Sequence, residues 1–466
     1  MDAANQRVFG KTVAQSEKEL VEQWLGQLDA ALQSDSRASV ASLFAPDGHW
    51  RDLLAFTWSI TPCQGAEAIA ALMVAKQGTA RARGFAIAPG RTPPRRVQRA
   101  GIDIVEGIIR FETEIGRGFG VVRLLAGEPS RAFQLMTGLH ELKGFEEKIG
   151  KRRPTGAAIS RNFGGANWKE ERIASQAYAD RDPVVLVAGG GQAGLSIAAT
   201  LGRLGVDTLV VDRHERVGDN WRKRYHSLAL HNGTEFNHLP YLPFPPSWPT
   251  YLPKDMLADW FEAYAWAMEL NFWTGTELAS GTYDAAARRW NAVVRRSDGT
   301  ERTVRPRHLI FANGLLGFPR IPDLPGLKDF AGDVMHSAEF TDGANWRGKK
   351  ALVLGTGTSA HDVAQDLHAN GCEATLIQRG STYVVSIEPA AKLIYTIYEG
   401  IPLDDGDLLV STNTFPVVRK NLQLITARAA ELDRKMIDGL IASGFKWDMG
   451  DDNGGHQMLI RRRYGG

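Results

Sequence analysis

Two stretches of this chain share one grammar: an apolar strand, a glycine turn, then a helix. The first is Val184-Val185-Leu186-Val187-Ala188, then Gly189-Gly190-Gly191-Gln192-Ala193-Gly194, then a helix over 195–204. The second is Ala351-Leu352-Val353-Leu354, then Gly355-Thr356-Gly357-Thr358-Ser359-Ala360, then a helix to Leu367. This order fits a βαβ unit of a parallel, doubly wound sheet. There Gly189 allows the tight turn and Gly191 lets backbone N–H groups approach a pyrophosphate. Gly194 lets the helix pack close to the strand. Gln192 and Ala193 fall at the helix N-terminus, whose partial positive charge suits phosphate.

A second strand, Thr208 to Val211, ends in Asp212, about 20 residues after the turn, where a carboxylate can accept hydrogen bonds from a ribose diol. Strand, helix and acid together point to dinucleotide binding; a purely structural turn is the bland alternative. In the second unit the last glycine is Ala360, which loosens the helix–strand contact. Its second strand, Ala374 to Ile377, ends in Gln378-Arg379, not in an acid. An arginine there can pair with a 2′-phosphate, so the site reads as NADP(H) rather than NAD(H), with Thr358 and Ser359 at the helix start. Arg379 as a solvated surface charge is the other reading. Two such sites on one chain imply electron transfer, with FAD in the first, NADPH in the second and a hydride passing between them.

Composition excludes several classes. At 466 residues the chain is long enough for roughly three domains at about 150 residues each. Lys+Arg 55 against Asp+Glu 53 gives a net charge of +2, no support for a nucleic-acid partner. Cys63 and Cys372 are the only cysteines, so there is no disulfide framework, zinc site or CxxC pair. No metal site is expected. No apolar run reaches the roughly 20 residues of a membrane helix, and Met1–Gln15 lacks a signal-peptide core. A cytoplasmic protein is the expectation.

Ahead of the glycine turns, residues 16–33 read as a helix with capping-box spacing at Ser16 and Glu19. A turn is expected at Pro46-Asp47-Gly48, and strands over 102–113, 119–125 and 132–143, the last alternating as a half-buried strand should. This predicts an α+β domain over 15–148. Residues 149–182 read as a linker. The rest is expected to form two Rossmann-like α/β domains: a first, FAD-binding one over 183–342 and a second, NADP-binding one over 343–466. In the latter, 421–441 reads as an amphipathic helical insertion.

The motifs around the turns resemble flavin-containing monooxygenases. Gly218-Asp219-Asn220-Trp221-Arg222 is similar to the family's GGxW segment, which lines FAD. His231-Asn232-Gly233 follows, then Ala312-Asn313-Gly314, similar to the crossover between the two nucleotide domains. Phe330-Ala331-Gly332-Asp333-Val334-Met335-His336-Ser337-Ala338-Glu339-Phe340 matches the fingerprint FxGxxxHxxx(Y/F) in full. Thr341 follows it, where Baeyer–Villiger enzymes have a Trp-Pro ending, so the heteroatom-oxidising, N-oxide-forming or YUCCA-like branch is favoured. The resemblance covers about 183–466. The N-terminal domain looks like a SnoaL-like cone, with Asp52 and His49 as polar pocket residues or, as the blander reading, packing groups in a dimerising module.

The resemblance implies that NADPH reduces FAD, O₂ adds to the reduced flavin, and the hydroperoxide gives one oxygen to a soft nucleophile, an amine nitrogen or a sulfide. That is activity of the N,N-dimethylaniline monooxygenase type. Cofactor contacts then fall to Gly189, Gly191, Gln192, Ala193, Gly194, Asp212, Asn220, Trp221, Arg222, His231, Ala312, Gly355, Gly357, Thr358, Ser359 and Arg379. Asn232 is the catalytic candidate beside the flavin, or a turn residue in Asn-Gly. His336 is expected to be structural. A carbonyl or 2-oxo acid substrate is the alternative. So is a non-catalytic flavoprotein, because the family normally returns to the FAD domain after this point and the chain ends at Arg463-Tyr464-Gly465-Gly466, as if truncated. The partners expected are a small molecule and O₂, with a homodimer left open.

Overall fold

A computed structural model describes residues 16–127, 129–155, 162–315 and 317–455. Both ends singled out above, Met1–Gln15 and Arg463–Gly466, lie outside them. The chain divides into two compact units. Of the described residues, one holds those within 1–145, 389–432 and 449–457; the other holds those within 146–388 and 433–448.

The first unit begins with helix α1 (Glu17–Gln33). Ser16 and Glu19 cap it reciprocally, each side chain taking the other's backbone N–H. Helices α2 (Arg37–Ser42) and α3 (Ala66–Ala80) follow, interleaved with strands β1 (Phe44–Leu53), β2 (Ile60–Gln64), β3 (Arg83–Ile87), β4 (Arg95–Arg99), β5 (Ile102–Glu112), β6 (Gly116–Leu125) and β7 (Ala132–Leu142). They form one sheet, ordered β2-β1-β7-β6-β5-β3, with β4 also paired to β5. Trp24, Leu28, Trp50, Phe111, Val122 and Leu135 build the core between helices and sheet. Each such fully buried side chain contributes about 1.5–3 kcal/mol.

Two local expectations change. Pro46-Asp47-Gly48 is not a turn between elements; β1 runs through it, with its register against β7 shifting between Phe44 and His49. A bulge absorbs the turn-forming residues. Gly48 suits the spot because a Cβ would lie 2.9 Å from the carbonyl oxygens of Ala132 and Ala45. Strand β7 is not half-buried: Ala132 to Thr137 are all buried. Its second face is covered too, as described below.

In the second unit the segment expected as a linker holds helix α4 (Trp168–Ala177), started by an Asn167–Glu170 capping box. Its end is tied down by Trp273 Nε1 donating to Gln176 O at 2.7 Å. Strands β8 (Val185–Ala188) and β9 (Thr208–Val211) flank helix α5 (Gln192–Arg203). Helix α6 (Asp219–Arg222), the ribbon β10 (Ala229–Gly233) and β11 (Tyr251–Pro253), and helix α7 (Lys254–Ala267) follow. Then come β12 (Asn271–Trp273), the antiparallel β13 (Thr276–Asp284), β14 (Arg289–Arg296) and β15 (Glu301–Val304), and β16 (His308–Phe311). The first parallel sheet is ordered β12-β9-β8-β16. The second has β17 (Lys350–Leu354) and β18 (Glu373–Ile377), joined through helix α8 (Thr358–Ala369).

Residues 389–432 belong to the first unit, not to the second nucleotide region where the sequence reading put them. They contribute helices α9 (Leu403–Ser411) and α10 (Phe415–Leu432). The single amphipathic helix expected over 421–441 is two: α10 and α11 (Arg434–Ala442). The break falls at Asp433, whose carboxylate accepts Ser386 N at 2.8 Å and Ser386 Oγ at 2.6 Å. Periodicity reports an apolar face; it does not report what covers it.

Candidate functional site

The first glycine turn is a crowded junction. Gly189 sits at φ +110°, a conformation that favours glycine. A Cβ there would collide with the carbonyl oxygen of Ala312, and one on Gly194 with the carbonyl oxygen of Gly189. Ala312 N donates to Ala188 O at 2.8 Å, so the crossover after β16 is locked against the turn. Helix α5 is N-capped by Gly191, which offers no side-chain cap. The first amides of α5 therefore face outward as donors, and such an end accepts a pyrophosphate. The side-chain amide of Asn220 lies 3.3 Å from where a Gly191 Cβ would be.

Asp212 closes this junction. Its Oδ2 accepts Gly190 N at 2.7 Å, and its Oδ1 accepts His214 N at 2.9 Å and faces His214 Nδ1 at 2.8 Å. Burial alone would push this carboxyl up, but the His214 and Gly190 hydrogen bonds outweigh it and hold it below the ordinary range. A carboxylate offers about four acceptor positions, so roughly one is left for a ribose hydroxyl. Sequence reasoning missed His214 and also Phe272, whose ring lies where a Gly190 side chain would go. The His214 signal was legible in principle: a residue two beyond an aspartate often bonds it.

The neighbouring candidates divide. Trp221 packs against the core that includes α5, and its Nε1 is a buried donor without an acceptor among the described residues, a feature that suits a ligand's oxygen. Arg222 is engaged elsewhere: it pairs with Asp219 and donates to Asp259 at 2.9 Å. His231 is exposed on β10 and Asn232 half-buried beside it, on a ribbon attached to the same core through Leu230. The Asn232 carbonyl accepts Asn237 Nδ2 at 3.3 Å.

The second turn is open. Gly355 has φ +121°, and neither it nor Gly357 has anything within 4 Å of a built Cβ among the described residues. Helix α8 is N-capped by Gly357 with no side-chain cap, and Thr358 and Ser359 stand at the helix start. Arg379 is exposed just past β18. The Tyr225 hydroxyl donates to Asp362 at 2.6 Å, tying α8 to the segment after α6. No sequence signal marked that pair. His336 is half-buried, its Nδ1 accepting Ala338 N at 3.0 Å within its own turn. A groove of about 580 Å³ is lined by Ile321, Leu327, Phe330 and Val334 among others, and none of the expected site residues lines it.

In the N-terminal unit Asp52 is saturated. It accepts Phe56 N, Thr57 N, Thr57 Oγ1 and Thr137 Oγ1 at 2.7–3.0 Å, so it staples the bend after β1. Burial lowers the pKa of His49, and its Nδ1 lies 3.0 Å from Thr414 Oγ1. Among the described residues no helix is long and apolar enough to cross a membrane, and no cluster of metal-ligating side chains is found.

Residues 183–423 match the family model described as FMO-like, flavin-binding monooxygenase-like. The chain belongs to this family. Among curated relatives, indole-3-pyruvate monooxygenase YUCCA1 of Oryza sativa subsp. japonica is 38% identical over 207 residues, covering 44% of this chain and 50% of that protein. Probable indole-3-pyruvate monooxygenase YUCCA10 of Arabidopsis thaliana is 29% identical over 233 residues, covering 50% of this chain and 61% of that protein. The chain thus spans 50–61% of the length of these two relatives. A solved flavin-containing monooxygenase from Stenotrophomonas maltophilia is 24% identical at a TM-score of 0.42, covering 49% of this chain and 68% of that one.

Proposed function

We propose that this flavin-binding monooxygenase-like chain is an FAD- and NADPH-dependent oxygenase that places one atom of O₂ into a small organic substrate. The observation that carries this is the first turn: an uncapped α5 start, the Ala312 crossover and Asp212 converge on one glycine junction. The flavin, when bound, supplies the oxygen-activating chemistry and the nicotinamide supplies hydride. The chain's residues bind and orient. The amides of Gln192, Ala193 and Gly194 hold the pyrophosphate, Asp212 holds the ribose, and the free Trp221 Nε1 and the Asn220 amide face the same cofactor. Asn232 lies on the flavin side as hydrogen-bonding partner of the reacting oxygen. At the second turn Thr358 and Ser359 hold phosphate, and Arg379 pairs with the 2′-phosphate. Gly357 has room for a side chain and an ordinary φ of −86°, so an approaching ligand is the reason left for glycine there.

Two substrate classes follow. A soft nucleophile, an amine or a sulfide, fits the fingerprint that ends in Phe340-Thr341. A 2-oxo acid is favoured by the names of the curated relatives. The free cysteines Cys63 and Cys372 suit a reducing, cytoplasmic setting. The test is the visible spectrum of the purified chain, then NADPH-dependent oxygen uptake with trimethylamine, a thioether, a ketone and indole-3-pyruvate. A flavin spectrum and uptake stimulated by one class are expected. Colourless protein that takes up no added FAD overturns the reading.

A further inference from the structure

The N-terminal sheet has two faces. One packs on α1 to α3; the other carries a buried polar cluster that a single-domain sheet would leave in water. Arg123 there is 0% exposed and Glu106 2%. Arg123 Nε donates to Glu106 Oε2 and Nη1 to Gln134 Oε1, each at 2.8 Å. Burial alone would raise the Glu106 carboxyl; the charge of Arg123, with the hydrogen bond and charge of Arg99, overcomes it and holds it at about 2.

The remaining donors of Arg123 go to residues almost three hundred positions away. Nη1 donates to Asn413 Oδ1 at 2.6 Å and Nη2 to Leu409 O at 2.9 Å. Arg51 Nη1 donates to Ser411 O at 2.8 Å and to Asn413 O at 3.1 Å. Two arginines thus read the carbonyl end of α9, where a helix is partially negative. The start of α9 is held as well. Asp405, 1% exposed, accepts Arg91 Nη1 at 2.8 Å, Thr92 N at 2.7 Å and Thr92 Oγ1 at 2.5 Å. Leu409 fills the apolar gap with Ile108, Val121 and Met136. The crevice left between Pro93, Glu106, Ile108 and Leu409 has no room for a water molecule.

Residues 403–414 also lie inside the stretch that matches the monooxygenase family, 183–423. We propose that the outward face of the N-terminal sheet is a recognition surface whose partner is the chain's own residues 403–414. Arg91 and Thr92 take the start of α9, and Arg51 and Arg123 take its carbonyl end. Residues 403–414 are then a fold-completing part of the N-terminal unit, although they lie within the stretch that matches the monooxygenase family. Asp405, Arg123 and Arg51 are each met from across the contact, and separation removes the partners of Asp405, of two Arg123 donors and of Arg51. The proposal rests on the docking contacts and the family match, not on the cofactor reading.

The test is hydrogen–deuterium exchange on the full chain, comparing wild type with Arg91→Ala, Asp405→Ala, the double variant and Asn413→Ala. Wild-type amides of 405–414 are expected to exchange at least ~100-fold slower than an unstructured peptide. Each single variant at the 91–405 pair should lose roughly tenfold of that protection. The double variant should lose less than the product of the two, because the residues share one contact. Protection of β5 to β7 should fall in step with 405–414, while α5 amides stay as slow as before, which separates undocking from global unfolding. Free exchange of 405–414 in wild type overturns the proposal. So does multiplicative loss at the pair, or a segment that opens while β5 to β7 keep full protection. A wild-type dimer that these variants dissolve also overturns it, since the occupant would then be a second copy.

Discussion

The two glycine turns share glycines at their first and third positions and do different structural work. At the first, the glycines are required by the protein itself: the crossover carbonyl of Ala312 and the Phe272 ring occupy the space where side chains would be, and Gly194 presses its helix onto the turn. All four residues of β8 are buried in a four-stranded sheet. At the second, the Cβ positions of Gly355 and Gly357 are empty, and β17 alternates in a two-stranded sheet with Leu352 64% and Leu354 47% exposed. A shared motif can therefore be fixed by packing in one place and left unfixed by packing in another. Substitutions separate the two cases.

The largest contrast is expected between Gly194→Val and Gly357→Ala. A side chain at 194 meets backbone that cannot yield, so the second unit should lose more than about 3 kcal/mol, read as loss of soluble, flavin-retaining protein. Gly357→Ala should change stability by no more than about 0.5 kcal/mol in thermal unfolding. Its effect should fall on NADPH saturation alone. Equal damage from both would erase the distinction.

Next in size is Asp212→Ala. It removes the carboxylate that holds Gly190 N and that we assign to the ribose, a charge-assisted contact worth about 1.5–3 kcal/mol. Flavin affinity should drop roughly 10–100-fold by fluorescence titration, with the KM for NADPH unchanged. At the other turn Arg379→Ala should do the reverse. Flavin content stays, the preference for NADPH over NADH falls by roughly tenfold, and NADH use is retained. A coupled loss of both cofactors from either variant would mean that the turns are not separate sites.

How much of this was legible in the sequence follows the same division. The first turn was readable because a strand, three glycines, a helix and an acid lie close along the chain, and local order nearly dictates local structure. The α1 cap was readable for the same reason, and the Asn167–Glu170 box of α4 could have been, had the polar stretch around it not suggested a linker. The covering of β7 was not readable. Its partners Leu409 and Asn413 lie far along the chain, and an alternating strand pattern cannot announce that a second face will be covered. Arg123 reads as a surface charge until its acceptors are seen. The apolar run Ala351–Leu354 looks like a buried strand in sequence, yet half of it is exposed, because hydrophobicity specifies a preference for burial and not the neighbour that provides it.

The smallest expected effect is the finest probe of the first turn. His214→Ala leaves the backbone bond to Asp212 and removes the ring contact at 2.8 Å. It should weaken flavin binding only a few-fold at neutral pH, about 0.5–1 kcal/mol. Its signature is in acid. The folded-state pKa of Asp212 is depressed, so the stabilising contribution of its carboxylate is complete above the unfolded value of about 3.9 and is lost as pH falls through the lower, folded one. Flavin retention in wild type should therefore hold down to about pH 4 and fail below it. Without the imidazole the depression is smaller, and the failure should begin at higher pH. If the two acid profiles coincide, the histidine merely borders Asp212 and the junction is held by Gly190 and the backbone alone.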